Sequence, residues 1–322
     1  MLITVGAFDG FHKGHSELLR LCRENSIGDD WGVVTFYPHP SEFIGSIKRT
    51  LFTLQEKELI RRVLGIPKMY VLKFDDEMMR LPPRKFWSLL RGKLNVDGLV
   101  MGSDFHFGFG RSGNAESLRE MALSDGVNRI VIADLLKKPE YSSSCIRENI
   151  TSGNVRTASE ILGYPFFMIS RIIHGNERGR TIHFPTANLE IKSGKIIPSY
   201  GVYASAVLVN NSWYCGALSI GNNPTFHDVH ETRAEVYIMD FDGDIYGNEV
   251  MIMILERLRG IITFEGKEAL MKQIAHDTDE CRKIYGSMNG DTKKFLQSAE
   301  EIYCSQKNLL TEILNLTYTE MT

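Results

Sequence analysis

The periodicity of the chain changes near Pro165, and that change restricts the fold more than any other feature. Before it, short apolar runs alternate with helical stretches: LITV (2–5), WGVVTF (31–36), MYVLKF (69–74), LVMG (99–102) and RIVIAD (129–134). Between the first two, HSELLRLCRE places Leu18, Leu21 and Cys22 at helical spacing, and a second helix is expected from Leu54 to Leu64. Continuous apolar strands separated by helices imply a parallel sheet. After a helix expected in VRTASEILGY, the segments become short and alternating: GVYASAVLV, WYCGALSIG, RAEVYIMDF and VMIMILERL, with DFDGDIYG as a turn. That spacing predicts a small antiparallel barrel or sandwich. From about Thr263 the pattern becomes helical again, and Leu309, Ile313 and Leu316 share one face of a last helix.

The length of 322 residues suits two cores better than one. With 37 Lys and Arg against 40 Asp and Glu, the chain has no basic stripe of the kind a long nucleic-acid footprint needs. Cys22, Cys145, Cys215, Cys281 and Cys304 are odd in number, widely spaced and form no CxxC, which argues against a disulfide framework or a zinc site. The opening MLITVGAFDGF lacks a basic leader, and Asp9 ends its apolar run far short of the roughly 18 residues a membrane span requires. A cytoplasmic protein without membrane or nucleic-acid partners is expected.

Two strings carry chemistry. In GAFDGFHKGH (6–15) the glycines let backbone approach a ligand, and His12 and His15 lie where a loop enters a helix whose free N–H groups favour anions. Imidazoles there can donate to phosphate oxygens, which a nucleotidyl transfer needs more than a protein nucleophile. In HGNERGRTIHFPTANL (174–189) a glycine-rich basic loop can aim backbone N–H groups and Arg180 at phosphates. Thr186 and Asn188, two residues apart, face one side of an extended segment and offer oxygen ligands for Mg²⁺. Each string, taken alone, also reads as an ordinary turn.

Four ordered motifs, GAFDGFHKGH, TFYPHP (35–40), VMGSDFHFGFGRSGN (100–114) and SSSCIRENI (142–150), resemble the adenylyltransferase module of bacterial riboflavin kinase/FAD synthetases. GRTIHFPTANL, IPSYGVYA (197–204), SIGNNPTF (219–226) and AEVYIMDFDGDIYG (234–247) resemble the riboflavin kinase module of the same family. The resemblance implies an α/β plus all-β architecture. A Rossmann-like nucleotidyltransferase domain would span 1–165, a six-stranded antiparallel kinase barrel 166–286, and a helical extension 287–322. It implies that His12 and His15 contact ATP phosphates within a nucleotide-binding loop of Gly6, Phe8, Asp9, Gly10 and Gly14. Asp104 would help hold nucleotide and flavin, and Ser143, Ser144 and Arg147 would grip phosphate from a helix start, a clamp that serine hydroxyls and an arginine can make. Gly179, Arg180, Thr186 and Asn188 would bind nucleotide, the last two with Mg²⁺, and Glu235 would be the general base on the ribityl 5′-hydroxyl.

On strand RAEVYIMDF, Ala234, Val236 and Ile238 take one face, so Glu235 and Tyr237 point to the other. The chain departs from the family pattern at four positions: Ala7 for Asn, Ser144 for Thr, His183 for Gly and Tyr237 for His. The expected function is conversion of riboflavin to FMN and of FMN to FAD, each with ATP and Mg²⁺, by a monomer or weak homo-oligomer. The alternative is an FMN adenylyltransferase whose second module only binds flavin.

Overall fold

The structure is a computed structural model that describes residues 1–45, 49–134, 140–174, 184–222 and 232–320, with side chains as far as 305. The chain divides into two compact units, one of residues 1–142 with 305–322 and the other of residues 143–304.

In the first unit the elements run β1 (Leu2–Val5), α1 (Ser16–Asn25), β2 (Trp31–Tyr37), α2 (Pro40–Phe43), α3 (Leu54–Val63), β3 (Lys68–Lys73), α4 (Asp76–Met79), α5 (Pro83–Leu94), β4 (Gly98–Gly102), β5 (His106–Phe107), β6 (Gly113–Asn114), α6 (Ala115–Ser124) and β7 (Arg129–Ala133). β1, β2, β3, β4 and β7 form a parallel sheet in the order β3-β2-β1-β4-β7. Every residue of β1 and β4 is buried, as their unbroken apolar runs require. Phe86, Trp87, Leu90 and Leu94 of α5 join Leu118 and Ala122 of α6 over Ile3, Val5, Val34, Leu99 and Met101 of the sheet. Strand order reverses between β1 and β4. Loops leaving the carboxyl ends of these two strands therefore flank the crevice where open α/β sheets bind ligands. Both GAFDGFHKGH and the Asp104 loop leave from that edge.

The second unit begins with α7 (Ser143–Thr151) and α8 (Val155–Leu162) and continues through β8 (Phe166–Ile173), β9 (Thr186–Leu189), β10 (Gly201–Val209), β11 (Ser212–Asn222), β12 (Thr232–Ile238), β13 (Glu249–Arg259), α9 (Lys267–Gly286) and α10 (Gly290–Glu320). Its six strands close into an antiparallel barrel, β10-β11-β12-β9-β8-β13. Closure leaves no sheet edge to protect. β10 is buried along its whole length, without the expected alternation, because α9 packs across its outer side. Cys281 of α9 there meets Ala204, Cys215 and Met239.

α7 and α8 group with the barrel, whereas the sequence pattern placed the boundary after them. The cause is the apolar face of α8, where Val155, Ala158, Ile161 and Leu162 are buried and the helix packs on β8 and β13. The start of α10 also docks within this unit: Phe295 stacks on Tyr164 at 4.8 Å, and the Tyr303 hydroxyl donates to Glu249 Oε1 at 2.7 Å. Of the face expected for the extension, Leu309, Ile313 and Leu316 lie outside the residues whose side chains are described.

Candidate active sites

Gly6 ends β1 with its N–H on the Val34 carbonyl at 3.0 Å, and the chain then enters a loop that aromatic rings brace. Phe8 and Phe11 hold backbone φ of 41° and 42°, a region most side chains avoid. Their rings stack at 5.5 Å and are buried, which offsets the strain. Gly10, at φ 96°, makes the turn between them. Phe8 also meets the His15 ring edge-on at 5.1 Å. Asp9 is turned inward, 1% exposed, and its carboxylate accepts the Leu51 N–H at 3.2 Å. Phe8 and Asp9 thus contact the protein's own loop.

His12 caps the short helical turn that follows, its Nδ1 accepting the Gly14 N–H at 3.1 Å. Since Nδ1 is the acceptor, the neutral ring carries its proton on Nε2, a donor for an incoming anion. The His12 and His15 rings stack with centroids 3.9 Å apart. Gly14 is required by space: a Cβ there would strike the Tyr141 carbonyl oxygen and lie 2.9 Å from the His12 ring. The segment leading to the serine motif is thereby brought against the HKGH turn. His15 Nδ1 is buried with no hydrogen-bond partner among the described residues. Burial first, then the charges of His12 and Lys57, hold the His15 imidazole well below the ordinary histidine range, so it stays neutral.

Asp104 is exposed in the loop after β4, its carbonyl 2.8 Å from His106 Nδ1. Ser143 and Ser144 open α7, with Arg147 one turn further on, in the second unit.

On the barrel, β9 and β12 pair so that Asn188 lies opposite Glu235 and Thr186 opposite Tyr237. Directly paired residues project to one side, and Ala234, Val236 and Ile238 are buried on the other. The Thr186 hydroxyl donates to Glu235 Oε2 at 3.1 Å. Phe184 meets the Tyr237 ring edge-on at 5.4 Å and anchors the start of β9. Beside Thr186 opens a cavity of about 520 Å³, walled by Pro185, Ala187, Phe241, Asp242, Asp244 and Tyr246. Its size suits a nucleotide-scale ligand. His174 stacks on Tyr246 at 4.0 Å at the edge of this cavity. Gly179, Arg180 and His183 lie outside the described residues.

Sequence reasoning did not single out His174 or Lys57. His174 fell at the head of a loop motif read for its glycines, and Lys57 lies in a charged helix whose pattern signals only solvent.

Among the described residues no cluster of three or more His, Cys, Asp or Glu side chains is placed to hold a metal, and no helix is long and apolar enough to cross a membrane.

A family model described as FAD synthetase matches residues 1–145, and one described as riboflavin kinase matches 162–285. The chain is 34% identical over 294 residues to a bifunctional riboflavin kinase/FMN adenylyltransferase of Listeria monocytogenes, covering 89% of this chain and 93% of the relative. It is 33% identical to the enzyme of the same description from Bacillus subtilis, with 89% and 93% covered. A crystal structure described as a macrolide-efflux protein from Streptococcus pneumoniae superposes with a TM-score of 0.77 at 32% identity, over 87% of this chain and 93% of that one. Similarity therefore runs through both units. The chain belongs to the bifunctional riboflavin kinase/FMN adenylyltransferase family.

Proposed function

We propose that the chain makes FAD from riboflavin in two ATP-dependent transfers, one in each unit. The observation that carries this reading is that each family model falls on a separate fold, and each fold presents the groups its reaction needs: paired imidazoles on one, a hydroxyl-bound carboxylate on the other.

At the barrel, Glu235 takes the proton from the ribityl 5′-hydroxyl as that oxygen attacks the γ-phosphorus of ATP; the bond to the β-phosphate oxygen breaks, leaving FMN and ADP. The Thr186 hydroxyl holds the carboxylate in place through its 3.1 Å bond. Thr186, Asn188 and Glu235 offer hard oxygen donors of the kind Mg²⁺ takes, so Thr186 and Asn188 would hold the ion that ATP brings. When bound, Mg²⁺ neutralises charge on the phosphates. The cavity beside Thr186 receives the nucleotide, and Gly179 and Arg180 would contact its phosphates. The Thr186–Glu235 contact favours a working kinase over a module that only binds flavin.

At the parallel sheet, a phosphate oxygen of FMN attacks the α-phosphorus of a second ATP and displaces pyrophosphate. His12 and His15 donate hydrogen bonds to the oxygens on which charge builds. Asp104 adds to the nucleotide and flavin contacts, and the hydroxyls of Ser143 and Ser144 with Arg147 at the start of α7 are groups suited to binding phosphate. Among the described residues none of the five cysteines forms a disulfide, which supports a reducing cytoplasm as the compartment.

The test is a chromatographic time course of the purified protein with riboflavin, ATP and Mg²⁺, repeated with FMN supplied. FMN followed by FAD is expected from riboflavin. In Glu235→Gln, FMN formation should fall by at least about 10²-fold while supplied FMN is still adenylylated; a variant that keeps most of its kinase rate removes Glu235 as the base.

A further inference from the structure

Lys57 lies in the first turn of α3 and is 4% exposed. Its Nζ donates to the Ala7 carbonyl oxygen at 3.0 Å, and that oxygen also accepts the Thr35 hydroxyl at 2.8 Å. Ala7 sits between Gly6 and the strained Phe8, at the root of the loop that carries His12 and His15. A buried ammonium in the first turn of a helix is disfavoured twice, because it loses hydration and faces the positive end of the helix dipole. A substitution as simple as Leu would relieve both costs, so the charge at this place has a use.

Among the described residues its charge acts on ionisable groups of two other segments. His12 and His15 lie on the loop side, and Lys57 acts electrostatically on His15. On the other side is Glu42 of α2, which feels both Lys57 and the carboxylate of Asp9; burial first and Asp9 second raise the Glu42 carboxyl above its usual range. The field of the cation therefore reaches both His15 and Glu42.

We propose that Lys57 is a positioning residue for adenylyl transfer: it anchors the phosphate loop through Ala7 and supplies the buried positive charge behind the paired imidazoles. The inference rests on the assignment of adenylyl transfer to this unit. In the transfer the P–O bond to FMN forms, the bond between the α-phosphorus and the bridging oxygen breaks, and its electron pair leaves with pyrophosphate. Lys57 exchanges no proton in that step. Its field stabilises the accumulating negative charge and keeps His15 a neutral donor down to a lower pH than the imidazole would otherwise reach.

Three variants in the full chain test this: Lys57→Met, Lys57→Gln and Lys57→Arg. Riboflavin phosphorylation in the same molecule serves as an internal control, and thermal unfolding checks the fold. Lys57→Met and Lys57→Gln should each lose about 10²-fold in FAD formation from FMN, with FMN formation from riboflavin unchanged. In both, the acid limb of the FAD-forming rate should move to higher pH, because His15 then protonates more easily. Gln keeps a donor for the Ala7 carbonyl without the charge, so it separates anchoring from field, and Arg should restore most of the rate and the original limb. A folded Met or Gln variant with unaltered FAD formation overturns the proposal. So does a rate loss with an unmoved acid limb and no rescue by Arg, which marks a purely structural lysine. Unsubstituted protein that phosphorylates riboflavin yet forms no FAD from supplied FMN overturns the assignment of the unit, and the proposal with it.

Discussion

Gly14 separates His12 from His15, and its role is steric. Its φ is not positive, so other residues could adopt its backbone, but a Cβ would run into the Tyr141 carbonyl. Backbone cannot step aside as a flexible side chain can, and overpacking of this kind costs about 1–3 kcal/mol. Gly14→Ala should reduce FAD formation from FMN at least about tenfold, an effect on the order of the lower end of that range, and leave FMN formation from riboflavin untouched; assaying the two products separately checks it. His15 carries a pH dependence of its own. Its folded value lies below the ordinary 6.5, so the unfolded chain binds the proton first. The sign is therefore definite: this group leaves stability intact above about pH 6.5 and subtracts from it as pH falls through that value. In His15→Phe, which keeps the ring contact with Phe8 without the titration, the thermal midpoint should fall less between pH 7 and pH 5 than in the unsubstituted protein.

At the scale of elements, the sequence exposes what local pattern encodes and hides what depends on distant partners. β1, β2 and β4 were legible because strands buried on both faces must be apolar, β3 and β7 from apolar runs that persist at the half-buried sheet edges, and β10 to β13 because turns bound each run. β9 was readable only as an extended loop segment: four residues with two polar side chains become a strand by pairing with β12 and β8. For the same reason the alignment of Thr186 and Asn188 with Glu235 is a product of register, which no motif spells out. α3 shows the opposite failure. Its QEKE start reads as a solvated face, yet Gln55, Glu56, Lys57 and Glu58 are all buried. Glu56 is satisfied by the capping box with Thr53, and Glu58 by Arg61 and Arg62 at 2.6 Å, while Lys57 finds the Ala7 carbonyl fifty residues away. The first turns of α10 carry a buried apolar side. Phe295, Ala299 and Tyr303 are buried. Phe295→Ala should cost about 3–5 kcal/mol, since it opens a cavity beside Tyr164 and Phe167. Chemical denaturation followed through the barrel unit measures this, and an unchanged midpoint means that α10 is not docked in solution.

At the scale of the whole molecule, two separate cores with separate chemistry mean that FMN is the product of one unit and the substrate of the other. The proposed assignment gives His12 and His15 to the adenylyl transfer, and Thr186, Asn188 and Glu235 to the phosphorylation. A chain disabled at one site should therefore complement a chain disabled at the other. His15→Ala retains the kinase and stops at FMN, and Glu235→Gln retains the adenylyltransferase but has little FMN to use. Mixed in equal amounts with riboflavin, ATP and Mg²⁺, the two should yield FAD after a lag in which free FMN rises, with two ATP consumed for each FAD. The lag should shorten as protein concentration increases, because FMN must diffuse from one chain to the other. An equimolar mixture in which FMN accumulates without conversion, although the Glu235→Gln chain alone adenylylates added FMN at that concentration, would mean that the intermediate stays with the chain that made it.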